Sequence, residues 1–315
     1  MAMPTVAILG TRYPDFSIEQ EILEGVTIVG GAGDTPHDIV DLTNGADVVI
    51  AGSRPRFTAG VLERMTPRAI VRSGIGVDSI DINHARRLGF WVAYVPDYGT
   101  EAVAFHTLSL VLAAMRRLPQ SDRLVKQGSW GFAELRPMHL PSTLIAGVIG
   151  YGRIGQRVAH LLRSVGFGSV IAHDPYQAEA ETDLGALLAT ADVVTLHAPG
   201  PDDGSALLGE SELAAMKEGS ILVNTARGTL VDASALAAGL AQRRPRFAAL
   251  DVFSPEPPNL SLFAGVKDQL IPSPHTAWYT EETQSDLRAK SAWEARRIIE
   301  GEEPLHPVVR PEEAS

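Results

Sequence analysis

Three glycines and an aspartate carry the first chemistry legible in this chain. Gly150, Gly152 and Gly155 form Gly-x-Gly-x-x-Gly directly after the apolar run Leu144, Ile145, Val148 and Ile149. The run predicts a buried parallel strand, and the residues after it a helix. At that junction the first glycine permits a tight turn, the second lets the backbone approach a pyrophosphate, and the third lets helix and strand pack closely. The helix N-terminus adds unpaired N–H groups and the positive end of its dipole. A second strand, Ser169 to Ala172, is closed by Asp174, about twenty residues past the last glycine, where a dinucleotide fold places a ribose-binding carboxylate. Asp174 would accept from both ribose hydroxyls and repel a 2′-phosphate, and no Arg or Lys follows in His173-Asp174-Pro175-Tyr176; this favours NAD over NADP. The alternative is that Asp174 only begins a turn before Pro175. A weaker cluster, Gly30-Gly31-Ala32-Gly33, precedes no apolar helix and reads as a loop.

The elements that must position a ligand follow from short apolar runs alternating with helical stretches. Val6–Leu9, Val26–Val29, Asp47–Ile50, Ala69–Arg72 and Phe90–Val95 read as strands with helices between them. A long apolar helix from Thr100 to Arg117 follows and is expected to be buried; Pro119 and the polar run Gln120 to Gly128 end it. Beyond Asp174 come strands at Asp192–Leu196, Ser220–Asn224, Phe247–Val252 and Gln269–Ile271, then one long helix, Glu281–Glu300, and a polar, frayed tail from Arg310. The alternation predicts an α/β protein with open parallel, doubly wound sheets. In such sheets ligands bind beyond the carboxyl ends of the strands. Arg72, Arg227, Glu256 and His275 all sit just after predicted strands, and Asp251 ends another, so a guanidinium, a carboxylate and an imidazole could converge there. Taken singly each has a plainer reading: Arg227 capping a helix, His275 a hydrogen-bonded core histidine, Glu256 part of a rigid Pro-rich loop.

The composition narrows the classes. With 315 residues, the chain is long enough for two domains. Its net charge of −11 disfavours a dedicated nucleic-acid or acidic-membrane binder. Having no cysteine, it can use neither disulfides, thiolate catalysis nor Cys-ligated zinc. No signal peptide and no bilayer-length apolar run is recognised, so a cytoplasmic protein is expected.

Arg72-Ser73-Gly74-Ile75-Gly76-Val77-Asp78, Asn224-Thr225-Ala226-Arg227-Gly228, Ala249-Leu250-Asp251-Val252-Phe253 with Pro255-Glu256-Pro257, and Pro274-His275-Thr276-Ala277 resemble, in order and spacing, signature segments of the D-isomer-specific 2-hydroxyacid dehydrogenases. The likeness runs from about residue 45 to about residue 300. The C-terminal part, with Trp278, looks closest to the C-terminal-binding-protein and phosphoglycerate-dehydrogenase-like branch. The resemblance implies two Rossmann-like domains. The substrate domain, 1–98 with 284–315, would be discontinuous and flavodoxin-like, and 99–283 would bind NAD. It implies hydride transfer between a 2-oxo acid and a D-2-hydroxy acid. Arg227 would orient the substrate carboxylate and carbonyl, His275 would act as general acid/base, and Glu256 would hold and tune that histidine. Implied cofactor contacts are Gly150, Gly152, Arg153, Ile154, Gly155, Asp174, His197, Ala198, Pro199, Thr225, Ala226, Asp251 (to the nicotinamide carboxamide), His275 and Ala277. Implied substrate contacts are Arg72, Ser73, Gly74, Ile75, Gly76, Arg227, His275 and Trp278, the last a flat apolar wall. No metal is implied, and a homodimer is.

Two departures stand out. The family's Glu after Val-Ala in the long helix is Phe105 here, so interdomain or dimer contacts would differ. The segment after His197-Ala198-Pro199 is Gly200-Pro201-Asp202-Asp203-Gly204-Ser205, which puts contacts to the nicotinamide ribose in question. No additional C-terminal regulatory domain is recognised, so serine feedback through one is not expected. The competing reading is an NAD(H)-sensing, corepressor-like interaction protein of the same fold.

Overall fold

The computed structural model describes residues 3–11, 13–200 and 204–311. The chain divides into two compact units, one made of Met1–Gly99 with Thr280–Ser315 and the other of Thr100–Tyr279.

The first unit begins β1 (Thr5–Leu9), α1 (Ser17–Ile22), β2 (Thr27–Gly31), α2 (Pro36–Thr43), β3 (Val48–Ala51), α3 (Ala59–Leu62), β4 (Ala69–Arg72), α4 (Ile82–Arg87) and β5 (Trp91–Tyr94). Every residue of β3 and β4 is buried, as expected for strands covered on both faces. One face packs Phe57, Leu62 and Phe90; the other packs Leu23 and Ile50 against Ala292 and Ala295. Thr35 and Asp38 form a capping box that starts α2 with Pro36 in its first turn.

The second unit contains α5 (Thr100–Met115), α6 (Leu118–Lys126), β6 (Ile145–Ile149), α7 (Arg153–Ser164), β7 (Ser169–His173), α8 (Leu184–Thr190), β8 (Val193–Leu196), α9 (Glu210–Ala215), β9 (Ile221–Asn224), α10 (Ala233–Ala241), β10 (Phe247–Leu250) and β11 (Leu270–Pro272). The chain then returns to the first unit as α11 (Glu281–Ile299) and β12 (Pro307–Val309). The sheet orders are β12-β5-β4-β3-β1-β2 and β11-β10-β9-β8-β6-β7. In the second sheet β7 lies on one side of β6 and β8 on the other, so the strand order reverses at β6 and opens a crevice beyond its carboxyl end.

The α/β, doubly wound architecture is the one expected, with four differences. The first sheet is not wholly parallel, because β12 pairs antiparallel with β5. Gly30 and Gly31 are not loop but the end of β2, paired with Ile8 and Leu9. They are glycines because a Cβ would strike the Phe16 ring at 2.5 Å or Leu42 at 2.4 Å. Pro119 does not end the helical region. Arg117 breaks α5 with a left-handed φ of 52°, and Pro119 then sits in the first turn of α6, where its missing N–H costs nothing. Finally, α5 is buried along one face only, packing Val103, Ala104, Leu108 and Val111, while Phe105 is 53% exposed. Of the tail, residues 312–315 lie outside the described residues, and Arg310 bonds Glu303 at 2.7 Å.

Candidate active site

The glycine turn is built by contact. Gly150 has φ +88°, and a Cβ on it would lie 2.4 Å from the Ala198 nitrogen. A Cβ on Gly155 would lie 2.0 Å from the Gly150 carbonyl oxygen. Gly152 is different, since nothing lies within 4 Å of its Cβ position. It is the N-cap of α7 and offers no side-chain cap, so the first-turn N–H groups next to it, at Arg153 and Ile154, lie beside open space. Asp174 follows β7 and is half-buried. One carboxylate oxygen accepts from the Tyr151 N–H at 2.7 Å and the other from the Tyr176 N–H at 2.9 Å. It therefore both begins the turn at Pro175 and closes the glycine loop from below. This open helix N-terminus beside an anchored carboxylate fits a dinucleotide: anionic phosphate at the N–H groups, ribose hydroxyls at Asp174.

His197, Ala198 and Pro199 leave β8 at the same crevice, with the His197 N–H bonded to the Ile149 carbonyl at 2.7 Å. Burial pushes the His197 imidazole down to about 3, so it is neutral at physiological pH. Its Nε2 is buried without a partner among the described residues. Of the unusual loop that follows, residues 201–203 lie outside the described residues.

Arg227 is placed by its neighbours. Asn224, the last residue of β9, donates through Nδ2 to the Arg227 carbonyl at 2.8 Å and accepts from the Ala226 N–H at 3.0 Å. The Thr225 hydroxyl meets the Thr107 hydroxyl of α5 at 2.8 Å. Gly228 lies so close to Phe253 that a Cβ would come 2.0 Å from its carbonyl carbon. The Arg227 segment is thus pressed against the loop that carries Glu256.

Glu256 and His275 are brought together. His275 Nδ1 lies 2.8 Å from one Glu256 oxygen, and the other accepts from the Phe253 N–H at 3.0 Å. A carboxylate accepts only, so Nδ1 carries a proton and Nε2 is the nitrogen left to act. His275 adopts φ +55°, uncommon for a residue with a Cβ. Asp251 holds it there: the His275 N–H donates to the Asp251 carbonyl at 2.8 Å. Asp251 is 1% exposed. It accepts from Ser273 Oγ at 2.6 Å and from the N–H groups of Thr276 and Ala277 at 3.0 and 2.8 Å, with His106 Nε2 at 3.5 Å. Three donors thus anchor the His275 turn to a carboxylate that has about four acceptor sites. Trp278 is half-buried and packs edge-on to Tyr279, ring centroids 5.6 Å apart. The sequence reading missed Asn224, Ser273 and His106 as supports. Asn224 carried a local signal, an amide at a strand end before a turn, whereas Ser273 and His106 are joined to Asp251 only by folding.

In the first unit Arg72 ends β4 and is buried. Its guanidinium folds back onto the Ser73 carbonyl, and Gly74, at φ +140°, is the residue whose Cβ would strike that guanidinium. Ile75 and Gly76 continue the turn, partly exposed.

Comparison with known proteins agrees with this geometry. Residues 108–277 match the NAD binding domain of the D-isomer specific 2-hydroxyacid dehydrogenases. The chain is 34% identical over 293 residues to the D-3-phosphoglycerate dehydrogenase of Methanocaldococcus jannaschii, covering 90% of this chain and 55% of that protein. It is 35% identical over 258 residues to the glyoxylate reductase of Aeropyrum pernix, covering 77% and 76%. It spans about half the length of the two curated phosphoglycerate dehydrogenases it matches. The crystal structure of Aquifex aeolicus D-lactate dehydrogenase, complexed with NAD and lactic acid, superposes with a TM-score of 0.84 at 25% identity, covering 94% of this chain and 96% of that one. The chain belongs to the D-isomer-specific 2-hydroxyacid dehydrogenase family, and its second unit carries that family's NAD-binding domain.

Proposed function

We propose that the chain is an NAD-dependent dehydrogenase interconverting a 2-oxo acid and a D-2-hydroxy acid. The observation that carries this reading is the His275–Glu256 pair at 2.8 Å, on the same unit as the open glycine turn. NAD held at that turn would supply or accept the hydride at the substrate C2. The N–H groups of Arg153, Ile154 and Gly155 would meet the pyrophosphate, and Asp174 the adenosine ribose. His197 to Pro199, with Thr225 and Ala226, would line the crevice beyond them. His275 Nε2 would give a proton to the carbonyl oxygen in reduction and take it back in oxidation, while Glu256 holds Nδ1–H and fixes the ring. Arg227 would present its planar fork to the substrate carboxylate and carbonyl oxygen and stabilise the developing oxyanion. The turn Arg72 to Gly76 would seat the carboxylate, and Trp278 would face an apolar substrate side chain. Asp251 would meet the nicotinamide carboxamide, and would also act through the backbone of His275, Thr276 and Ala277.

The test is oxidation of NADH against pyruvate, 4-methylthio-2-oxobutyrate, hydroxypyruvate, glyoxylate and phosphohydroxypyruvate, the last two suggested by the relatives' names. Turnover of at least one is expected, with NADH preferred to NADPH because Asp174 repels a 2′-phosphate. Tight NADH binding with none of them reduced would instead make this an NAD(H)-sensing protein.

We also propose a homodimer built on the second unit. Phe105 of α5, Leu118 and Val125 of α6, and Trp130, Phe132 and Leu140 beyond it are large apolar side chains more than half exposed. An apolar surface of this kind is usually covered by a partner. Light scattering should give twice the chain mass; the mass of one copy would refute the dimer.

A further inference from the structure

The first unit contains a buried polar cluster for which the reaction as described has no use. Arg288 of α11 grips Glu19 of α1 with two hydrogen bonds, Nε to Oε1 at 2.9 Å and Nη2 to Oε2 at 2.6 Å. Glu19 is 1% and Arg288 5% exposed. Nη2 also donates to the Asp15 carbonyl at 2.9 Å and lies 3.3 Å from the Asp15 carboxylate. The same guanidinium lies over the Tyr13 ring, 4.7 Å from its centroid. Tyr13 therefore has its ring fixed by a cation and its hydroxyl pointed away from it, 2.8 Å from Ser73 Oγ. Ser73 belongs to the Arg72 turn. One helical turn beyond Arg288 on α11, Ser291 Oγ lies 3.1 Å from Ser73 Oγ and 2.7 Å from the Leu287 carbonyl oxygen.

Each hydroxyl has one proton, and a carbonyl only accepts. Ser291 Oγ faces two acceptors, the Leu287 carbonyl and Ser73 Oγ, and shares its single proton between them, while between Tyr13 and Ser73 either hydroxyl can donate. Burial raises the Tyr13 hydroxyl above its ordinary value of 10.0, so it stays a neutral partner of Ser73 across the working pH range. A buried ion pair adds little net stability, because desolvation offsets its attraction. What Arg288 and Glu19 supply is orientation, since they hold a tyrosine that holds a serine.

We infer that Tyr13 is a positioning residue for substrate binding, locking Ser73 and with it the Arg72–Gly76 turn that receives the substrate carboxylate. Tyr13 has this role only if that turn is the carboxylate seat proposed above, and the two ideas are separable by experiment.

Tyr13→Phe keeps the ring beneath Arg288 and deletes only the hydroxyl. Losing one hydrogen bond from a preorganised turn should raise KM for the 2-oxo acid about tenfold. The Kd of oxamate, a non-reducible 2-oxo acid mimic, should rise equally on the NADH-loaded chain. kcat, NADH affinity and Tm should stay near wild type. Ser291→Ala, which breaks the chain at its other end, should weaken oxamate in the same direction. Adding Tyr13→Phe to Ser73→Ala should cost little beyond Ser73→Ala alone, because the serine change already removes the Tyr13 link. An unchanged KM and oxamate Kd in Tyr13→Phe, or a fall in Tm without either change, would overturn the role. Arg72→Ala separates the two ideas. If it raises KM while Tyr13→Phe does not, only Tyr13 is wrongly assigned. If Arg72→Ala itself leaves KM and oxamate binding unchanged, the carboxylate seat fails, and the role of Tyr13 with it.

Discussion

His275→Asn is expected to cut kcat by about 10²–10⁴-fold, the usual worth of a positioned general acid/base, while NADH binds as before. Asparagine is the informative replacement because His275 sits at φ +55°. Asn tolerates that left-handed conformation better than most residues. The backbone anchor also survives, since the His275 N–H donates to the Asp251 carbonyl and the next two N–H groups to its carboxylate. The imidazole side chain, 47% exposed, has Glu256 as its hydrogen-bond partner, so its removal should cost little stability. An amide cannot take or give the proton, so only the chemical step should suffer. Stopped-flow measurement of NADH oxidation alongside NADH fluorescence titration separates the two effects. A His275→Asn variant that turns over at the wild-type rate would exclude His275 as the acid. A kcat fall matched by an equal loss of NADH affinity would mean the turn had collapsed.

What the sequence made legible was whatever a residue decides over a few neighbours. The short apolar runs at Val48 and Ala69 read as strands, and the glycines at 150, 152 and 155 read as a strand-to-helix turn once the strand before them and Asp174 after the next one are counted. The errors came where local signals have two meanings. Pro119 reads as a helix terminator, but proline is equally at home in a first turn, and the left-handed Arg117 that separates α5 from α6 leaves no mark in composition. Gly30 and Gly31 looked like loop because glycine is a poor strand former; the Phe16 and Leu42 side chains that exclude a Cβ there come from other elements. β12 is three residues long and begins with proline, too short to show a period. The candidate site divides in the same way. Residues at strand ends were legible. The shell that orients them was not, because Ser273 and His106 on Asp251, or Tyr13 and Ser291 on Ser73, meet only when distant segments fold together.

Arg227→Ala should lower kcat/KM by about 10²–10³-fold or more, as removal of a preorganised oxyanion donor does elsewhere, and unlike His275→Asn it should raise KM as well. The guanidinium donates through Nη1 to the Ala226 carbonyl at 2.8 Å, but two other contacts hold the same backbone: Asn224 ties down the Arg227 carbonyl, and Gly228 is wedged on the Phe253 backbone. Truncation should therefore remove the guanidinium without releasing the loop, and Tm should hold. Arg227→Lys tests the geometry. A lysine restores the charge as a point, not as two parallel donors, so it should recover only part of the loss. If charge alone mattered, Lys would approach wild type. If neither the fork nor the charge mattered, Ala would. Guanidinium ion added to the Ala variant should restore part of kcat, because the wedge at Gly228 leaves the vacated space in place. A variant with impaired turnover that lysine fully repairs would assign Arg227 to simple charge attraction of the substrate and remove it from orienting the carbonyl.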